Sequence, residues 1–305
     1  MDKGGRINVQ DVPTMMDTQT KQRFGHVTAI SNQKGGVGKT TTAINLASSL
    51  GGLERKTLLI DMDPQANATS GVGMYSLPEN HPTVYEGLIG YAQAQNIILP
   101  SSVPNLDLMP ATDELVGFEV EGLQLDDRQD RLRKLLAPVV ANYDYVIIDC
   151  PPSLSLLTLN ALCAANGVLV PLQTEYYALE GLSRLTGTIE RIKQAFNPGL
   201  VLEGILLTMY DKRTSLSWQV EQEVSTHFAK QLFDTKIPRN VRLSEAPSFG
   251  KPIILYDICS KGAQSYIQCA EEFDFKVQQN YKGNLHDRKH TPGPGHLNPD
   301  SQSLA

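Results

Sequence analysis

Short apolar runs alternate with amphipathic helical segments along most of this chain. Most of the runs are apolar at consecutive positions, which is typical of strands that are buried on both faces of a sheet. They span residues 27–30, 57–60, 106–109, 145–148, 167–171 and 205–208, with a weaker run at 235–237. Two segments repeat at helical spacing and read as core faces, one through Leu182, Leu185, Ile189, Ile192 and Phe196, the other through Leu216, Val220, Val224, Phe228 and Leu232. The alternation predicts an α/β fold with a doubly wound, mostly parallel sheet and helices on both faces.

A glycine-rich loop follows the first apolar run and precedes a helix-compatible segment at residues 41–50. A loop between a strand and a helix turns several backbone N–H groups toward one point, and the helix N-terminus adds partial positive charge there. The phosphates of a nucleotide fit that point, with Lys39 supplying a full charge and the Thr40 hydroxyl a ligand for Mg²⁺. The residues predicted to bind the nucleotide here are Lys34, Gly35, Gly36, Val37, Gly38, Lys39, Thr40 and Thr41.

The loop departs from the usual phosphate-loop pattern at two positions. Gln33 stands where that pattern has glycine, and a second lysine, Lys34, lies at the mouth of the loop. Two lysines supply more positive charge than a single nucleotide usually receives from one loop. The alternative interpretation is a flexible glycine turn with Lys34 in solvent.

The segment from Asn32 to Thr42 resembles the deviant Walker A box of the ParA/Soj/MinD ATPases, which have a P-loop NTPase-like fold. In that family the early lysine reaches across a dimer interface to the partner's nucleotide. The resemblance therefore implies ATP as the ligand and an ATP-dependent homodimer in which Lys34 acts in trans. It extends over residues 26–273.

Carboxylates follow two of the apolar runs. Asp61 and Asp63 end the second run and point the same way in an extended segment, so one can help to order a metal shell while the other holds a water. Asp149 ends the run at 145–148, as a Walker B strand requires, and we expect it to reach Mg²⁺. The resemblance assigns Asp63 to hydrolysis, together with Lys34 and Lys39, and gives Asp61 a role in the Mg²⁺ shell or in a switch.

Two late segments, at 208–214 and 237–252, resemble chromosomal ParA/Soj proteins in particular. That resemblance places adenine contacts at Pro238 and Asn240, and DNA-contacting arginines at Arg213 and Arg242. Arginines on loops of two subunits can meet phosphates without reading bases. The alternative is that both arginines are ordinary surface or ion-paired residues.

Composition sets the remaining limits. The chain has 305 residues and a formal net charge of −6, so any DNA contact has to come from a local basic patch. No signal-peptide core or membrane-length apolar stretch is visible, and we expect a cytoplasmic, nucleoid-associated protein with no membrane partner. We further expect a flexible N-terminal arm at 1–25, an ATPase domain at 26–280 and a disordered polar tail at 281–305.

The resemblance implies a switch for chromosome or plasmid segregation. ATP and Mg²⁺ would drive dimerisation, the dimer would bind DNA non-specifically, and a ParB-like protein would stimulate hydrolysis. Because no glutamate base is obvious, we expect slow intrinsic turnover. Three alternatives stay open: a MinD-like membrane-associated ATPase, a cluster-carrying redox protein using Cys150 and Cys163, and an ATPase that positions another cargo.

Overall fold

The computed structural model describes residues 25–289, with side chains up to Tyr281. Its seven strands are β1 (His26–Ile30), β2 (Thr57–Asp61), β3 (Leu99–Pro100), β4 (Leu106–Met109), β5 (Tyr145–Asp149), β6 (Gly167–Gln173) and β7 (Val201–Thr208). They form one sheet in the order β3-β4-β2-β5-β1-β6-β7, in which only the β3–β4 pair is antiparallel. The predicted doubly wound, mostly parallel sheet is confirmed.

The helices are α1 (Lys39–Gly52), α2 (Asn67–Gly71), α3 (Val84–Ile89), α4 (Ala94–Ile97), α5 (Gly117–Glu121), α6 (Arg131–Leu136), α7 (Leu156–Ala164), α8 (Ala178–Ala195), α9 (Ser215–Phe228), α10 (Val241–Glu245), α11 (Ile253–Tyr256) and α12 (Lys261–Lys289). They cover both faces of the sheet, because the strand residues alternate between two cores. Helices α7, α8 and α9 contribute to one core, and α1 and α12 contribute to the other.

The strand register brings the predicted site residues together. Ile30 of β1 and Asp61 of β2 both pair with Asp149 of β5, which lies between them. The carboxyl ends of these three strands therefore meet at one edge of the sheet, where ligands of such folds bind. The phosphate loop leaves the sheet at the same edge, directly after β1.

Two details of the predicted elements are wrong. The run at 235–237 is not a strand of the sheet, although it follows β7 closely: Ile237 N donates to Leu207 O, and Tyr210 N donates to Ile237 O. The first helical stripe is buried except at Phe196, which is 43% exposed. In the second stripe only Val220 and Val224 are buried, and Leu216 is 36% exposed. Phe196 is the C-cap of α8 and Leu216 lies in the first turn of α9, while Leu232 lies beyond the end of α9, so the second stripe does not form one continuous helix.

The predicted boundary at residue 281 falls inside α12, whose backbone continues to Lys289. The prediction rests on the polar composition after residue 281, and polar composition does not by itself end a helix. The remaining tail, residues 290–305, and nearly all of the predicted N-terminal arm, residues 1–24, lie outside the described residues. Among the helices in the described part of the chain, none is both long and apolar enough to cross a membrane.

Candidate nucleotide-binding and switch site

The phosphate loop has the backbone geometry that its glycines predict. Gly36 and Gly38 have φ values of 76° and 87°, in the left-handed region that side-chain-bearing residues rarely adopt. Gly38 is the N-cap of α1, and its carbonyl accepts a hydrogen bond from Thr42 N at 2.9 Å. Helix α1 therefore begins at Lys39, and its N-terminus points into the loop.

Neighbouring strands hold this loop in place from outside. Asn32 accepts a hydrogen bond from Lys34 N at 3.0 Å and donates to Pro171 O of β6 at 2.8 Å. On the other side, the hydroxyl of Thr208 at the end of β7 donates to Val37 O at 2.8 Å. Hydrogen bonds from two neighbouring strands thus fix the shape of the loop.

The two lysines of the loop have opposite environments. Lys39 is 6% exposed, and its ammonium donates to Lys34 O at 3.1 Å, inside the loop. Burial lowers the pKa of Lys39, while Asp149, Cys150 and Asp63 act in the opposite direction. Lys34 instead points out of the loop, where its ammonium forms an ion pair with Glu175.

Asp149 is buried at the end of β5, and neither of its carboxylate oxygens has a hydrogen-bond partner among residues 25–281. Burial and the nearby carboxylate of Asp61 raise its pKa, and the Thr40 hydroxyl and Lys39 act against that rise. A buried carboxylate without a partner is costly unless a cation compensates it. The predicted Mg²⁺ ligands Thr40 and Asp149 therefore fit the metal.

No group of three or more His, Cys, Asp or Glu side chains in the described residues forms a closed metal site. Mg²⁺ commonly takes one or two protein ligands and completes its shell with phosphates and water.

The carboxylate of Asp61 is already occupied by neighbours. Its oxygens accept hydrogen bonds from the N–H and hydroxyl of Thr69, both at 2.7 Å, and from Asp63 N at 3.2 Å. Burial raises its pKa to about 6, although the bonds from Thr69 lower it. Of the two roles predicted for Asp61, these contacts favour the switch role, since Asp61 holds the α2 segment against the end of β2.

Asp63 borders a cleft of about 600 Å³ above the phosphate loop. One oxygen of Asp63 accepts a hydrogen bond from Gln65 N at 3.0 Å, which leaves the carboxylate at the edge of the cleft. Val116 and Glu119 also line this cleft, although no motif in the sequence indicated them. They follow no glycine or strand-end motif, so no local signal could have identified them.

A second cleft of about 340 Å³ adjoins the first and shares Gly38, Thr41 and Met209 with it. Pro238 and Asn240, the residues predicted to contact adenine, line this second cleft. The side-chain oxygen of Asn240 caps α10 by accepting from Leu243 N at 3.3 Å. The two clefts together offer connected space for phosphates and for a base.

Arg213 lines a groove of about 1110 Å³ that also contains Lys212, Lys236, Arg239 and Lys261, and we refer to it as the basic groove. Arg213 itself pairs with Asp211 at 2.7 Å, and that contact lowers the pKa of Asp211 to about 2. Arg242 lies outside this groove and pairs with Glu245 at 2.9 Å and Asp257 at 3.4 Å. The structure therefore joins Arg213, but not Arg242, to a larger group of cations.

The cysteines do not form the arrangement that a redox cluster needs. Cys150 is fully buried and Cys163 is 1% exposed, so neither can reach a shared cluster at a subunit surface.

Comparison with known proteins identifies the family. A family model described as an AAA domain matches residues 25–202. The chain is 58% identical over 248 residues to the chromosome partitioning protein ParA of Myxococcus xanthus, covering 81% of this chain and 87% of that protein. It is 52% identical over 249 residues to the sporulation initiation inhibitor protein Soj of Bacillus subtilis, covering 82% and 98%.

A solved structure shows the same fold. It is the cobyrinic acid a,c-diamide synthase from Mycobacterium smegmatis with bound ATP analog and magnesium, with a TM-score of 0.69 at 36% identity, covering 81% of this chain and 93% of that one. The phosphate loop, the two strand-end carboxylates and the high identity to both curated relatives agree. This chain belongs to the ParA/Soj family of chromosome-partitioning ATPases.

Proposed function

We propose that this protein is a Mg²⁺- and ATP-dependent switch for chromosome or plasmid segregation. ATP drives formation of a homodimer, the dimer binds DNA non-specifically over the nucleoid, and a ParB-like protein stimulates hydrolysis and release. The main support for this proposal is that the two lysines of the phosphate loop have different positions and therefore can have different roles. Lys39 is buried inside the phosphate site, whereas Lys34 is exposed at its mouth and directed away from it.

The residues of one protomer account for nucleotide binding. The N–H groups of the loop and the Lys39 ammonium neutralise the phosphates, and the second cleft takes the base between Pro238 and Asn240. Thr40 and Asp149 would hold Mg²⁺, which would supply neutralising positive charge for the phosphates. Lys34 adds a further cation to the nucleotide of the partner protomer.

Asp63 is the residue that we assign to the hydrolytic water. Its carboxylate lies at the edge of the cleft, close to the phosphate loop, and accepts only one hydrogen bond from the described residues, from Gln65 N. A carboxylate in that position can orient a water or accept its proton. A weak base of this kind suits slow intrinsic turnover that a partner accelerates.

The basic groove supports the DNA-binding part of the proposal. Five cationic side chains line it, of which Arg213 pairs with Asp211 and Lys236 with Glu221, although the whole chain is acidic. A local patch of this kind can bind phosphates without sequence specificity. The groove shares Pro238 and Arg239 with the cleft assigned to the base, so DNA and nucleotide would contact adjoining surfaces.

The test is retention of random-sequence DNA measured with ATP, with ADP and without nucleotide. We expect retention with ATP only, because only the dimer presents two basic grooves together. Light scattering on the same samples should show a doubling of mass in ATP. Retention that does not depend on the nucleotide, or a monomer in saturating ATP analogue, would overturn the proposal.

A further inference from the structure

An apolar groove lies between α7 and α8, on the face of the sheet away from α1 and α12. Its volume is about 480 Å³, and we call it the α7–α8 groove. Three large apolar side chains are exposed there, Leu123 at 54%, Leu154 at 52% and Phe196 at 43%. The residues that line it are Leu123, Arg128, Leu154, Ser155, Leu156, Leu159, Thr188, Arg191, Ile192, Ala195 and Phe196. Exposed apolar side chains gathered in one concave surface indicate a binding site.

Two arginines give this groove a charge preference. Arg128 donates to Leu123 O at 3.1 Å, and Arg191 donates to Gly187 O and to the Thr188 hydroxyl, each at 3.3 Å. Neither guanidinium forms an ion pair with a carboxylate in the described part of the chain, whereas Arg184 on the same helix α8 pairs with Glu180. An occupant with apolar side chains and carboxylates would therefore complement the groove.

The chain itself contains a segment with this composition. Residues 7–17 read INVQDVPTMMD and carry two aspartates, Asp11 and Asp17, with no lysine or arginine. The apolar residues between and around them are Ile7, Val9, Val12, Met15 and Met16. This segment precedes the described part of the chain.

The first described residues lie close to the end of the groove that contains Phe196. Val27 N donates to the side chain of Asn166 at 2.8 Å, and Asn166 follows α7. Asn197, which directly follows Phe196, donates to Ala165 O at 2.7 Å. Residues 18–24 can span about 25 Å when extended, at ~3.5 Å per residue. The distance along α8 from Phe196 to Thr188 is only about 12 Å, at ~1.5 Å per residue, so the segment can reach along the groove.

We propose that residues 7–17 bind in the α7–α8 groove of their own chain. Asp11 and Asp17 pair with Arg128 and Arg191, and the apolar side chains cover Leu154 and Phe196. The inference does not depend on dimerisation, DNA binding or a ParB-like partner.

Two residues that line this groove are connected to the nucleotide site. Leu154 directly follows Ser153, which lines the larger nucleotide cleft. Thr188 accepts a hydrogen bond from Gln33, the residue before Lys34, at 3.3 Å. The segment is thus placed to influence the loop after β5 and the start of the phosphate loop.

The experiment uses a variant that lacks residues 1–17 and a fluorescent peptide of residues 5–18, without nucleotide. We expect saturable binding to the truncated variant and at least about tenfold weaker binding to the full chain, because the tethered segment competes. The double variant Arg128→Glu/Arg191→Glu of the truncated chain should bind at least about tenfold more weakly. A peptide with Asp11→Lys and Asp17→Lys should restore binding to that double variant.

Matched controls distinguish a specific effect of the groove residues from a general effect of charge and from loss of folding. Arg184→Glu changes an exposed arginine of the same helix that already has a partner, and should leave peptide binding unchanged. Phe196→Ala tests the apolar half without altering charge, and should also weaken binding. Equal affinity for the full and truncated chains, binding of a scrambled peptide, or indifference to the charge reversal would each overturn the proposal.

Discussion

The ammonium group of Lys34 forms an ion pair with the carboxylate of Glu175, which lies between β6 and α8. Glu175 thereby holds in its own subunit the lysine that we expect to serve the partner's nucleotide. The two side chains are 44% and 41% exposed, so the pair can open at a cost of about 0.2–1 kcal/mol.

Glu175→Gln should therefore ease dimerisation. Removal of the pair frees Lys34, and the ATP concentration at half-maximal dimerisation should fall by about 1.5- to fivefold, as a pair of this strength implies. Light scattering across an ATP-analogue titration measures it. Glu180→Gln, which removes a carboxylate paired with Arg184, is the matched control. An increased requirement for ATP would mean that Glu175 helps to hold the dimer.

The two lysines of the loop should separate nucleotide binding from dimerisation. Lys39→Ala should weaken ATP binding about 10- to 100-fold, since it removes charge-assisted hydrogen bonds to phosphate from a buried site. Lys34→Ala should leave the ATP affinity of the monomer within about threefold and abolish the ATP-dependent dimer. Calorimetric titration and light scattering measure the two properties. Identical behaviour of both variants would contradict the division of roles.

Asp63→Ala should bind ATP normally and lose hydrolysis by about 100-fold or more, the range expected for loss of a general base. Phosphate release under saturating ATP, with DNA present, measures the rate. Glu119→Gln is the control, because Glu119 is another carboxylate that lines the same cleft. A larger loss in Glu119→Gln than in Asp63→Ala would move the catalytic assignment to α5.

Arg213→Ala should weaken DNA binding uniformly across sequences and reduce the salt slope by about 1, as loss of one phosphate contact does. ATP affinity should not change. Arg242→Ala should have the smaller effect, because two carboxylates already hold its guanidinium. Fluorescence anisotropy with random duplexes at several salt concentrations gives both slopes. An unchanged slope for Arg213→Ala would remove that residue from the DNA site.

Gly204→Ala should destabilise the fold by about 1–3 kcal/mol through overpacking. A Cβ atom at this position of β7 would lie 2.3 Å from the ring of Phe233 and 2.9 Å from Leu169. Thermal unfolding measures the loss, and a second change, Phe233→Leu, should recover part of it. Gly187→Ala in α8 meets no atom within 4 Å and should instead stabilise by up to about 1 kcal/mol.

The parts of the fold and site that sequence could predict are those with a local signal. The buried strands have consecutive apolar residues, and the glycine loop combines a strand before it with a helix after it. Asp149 was predictable because it ends such a strand. Each of these signals is formed by residues that are close together in the sequence, so the order and spacing of those residues are enough to predict the feature.

The remaining features depend on contacts between distant residues. The hydroxyl of Thr208 bonds to Val37 across 171 positions, and the ammonium of Lys34 meets Glu175 across 141. Lys236 and Lys261 join Arg213 in one groove only after the chain has folded. The chain on either side of the run at 235–237 makes only isolated bridges, with β7 and with Tyr210, which are too short to form a strand. The composition of the run does not show how far such pairing extends.

The Thr208 contact has a consequence for timing. β7 ends at this residue, Met209 lines both nucleotide clefts, and Tyr210 and Asp211 already border the basic groove. Four consecutive residues thus lead from the phosphate loop to the cationic surface, with no intervening element to rearrange. Hydrolysis of ATP and release of DNA should therefore be closely coupled and share a single relaxation rate.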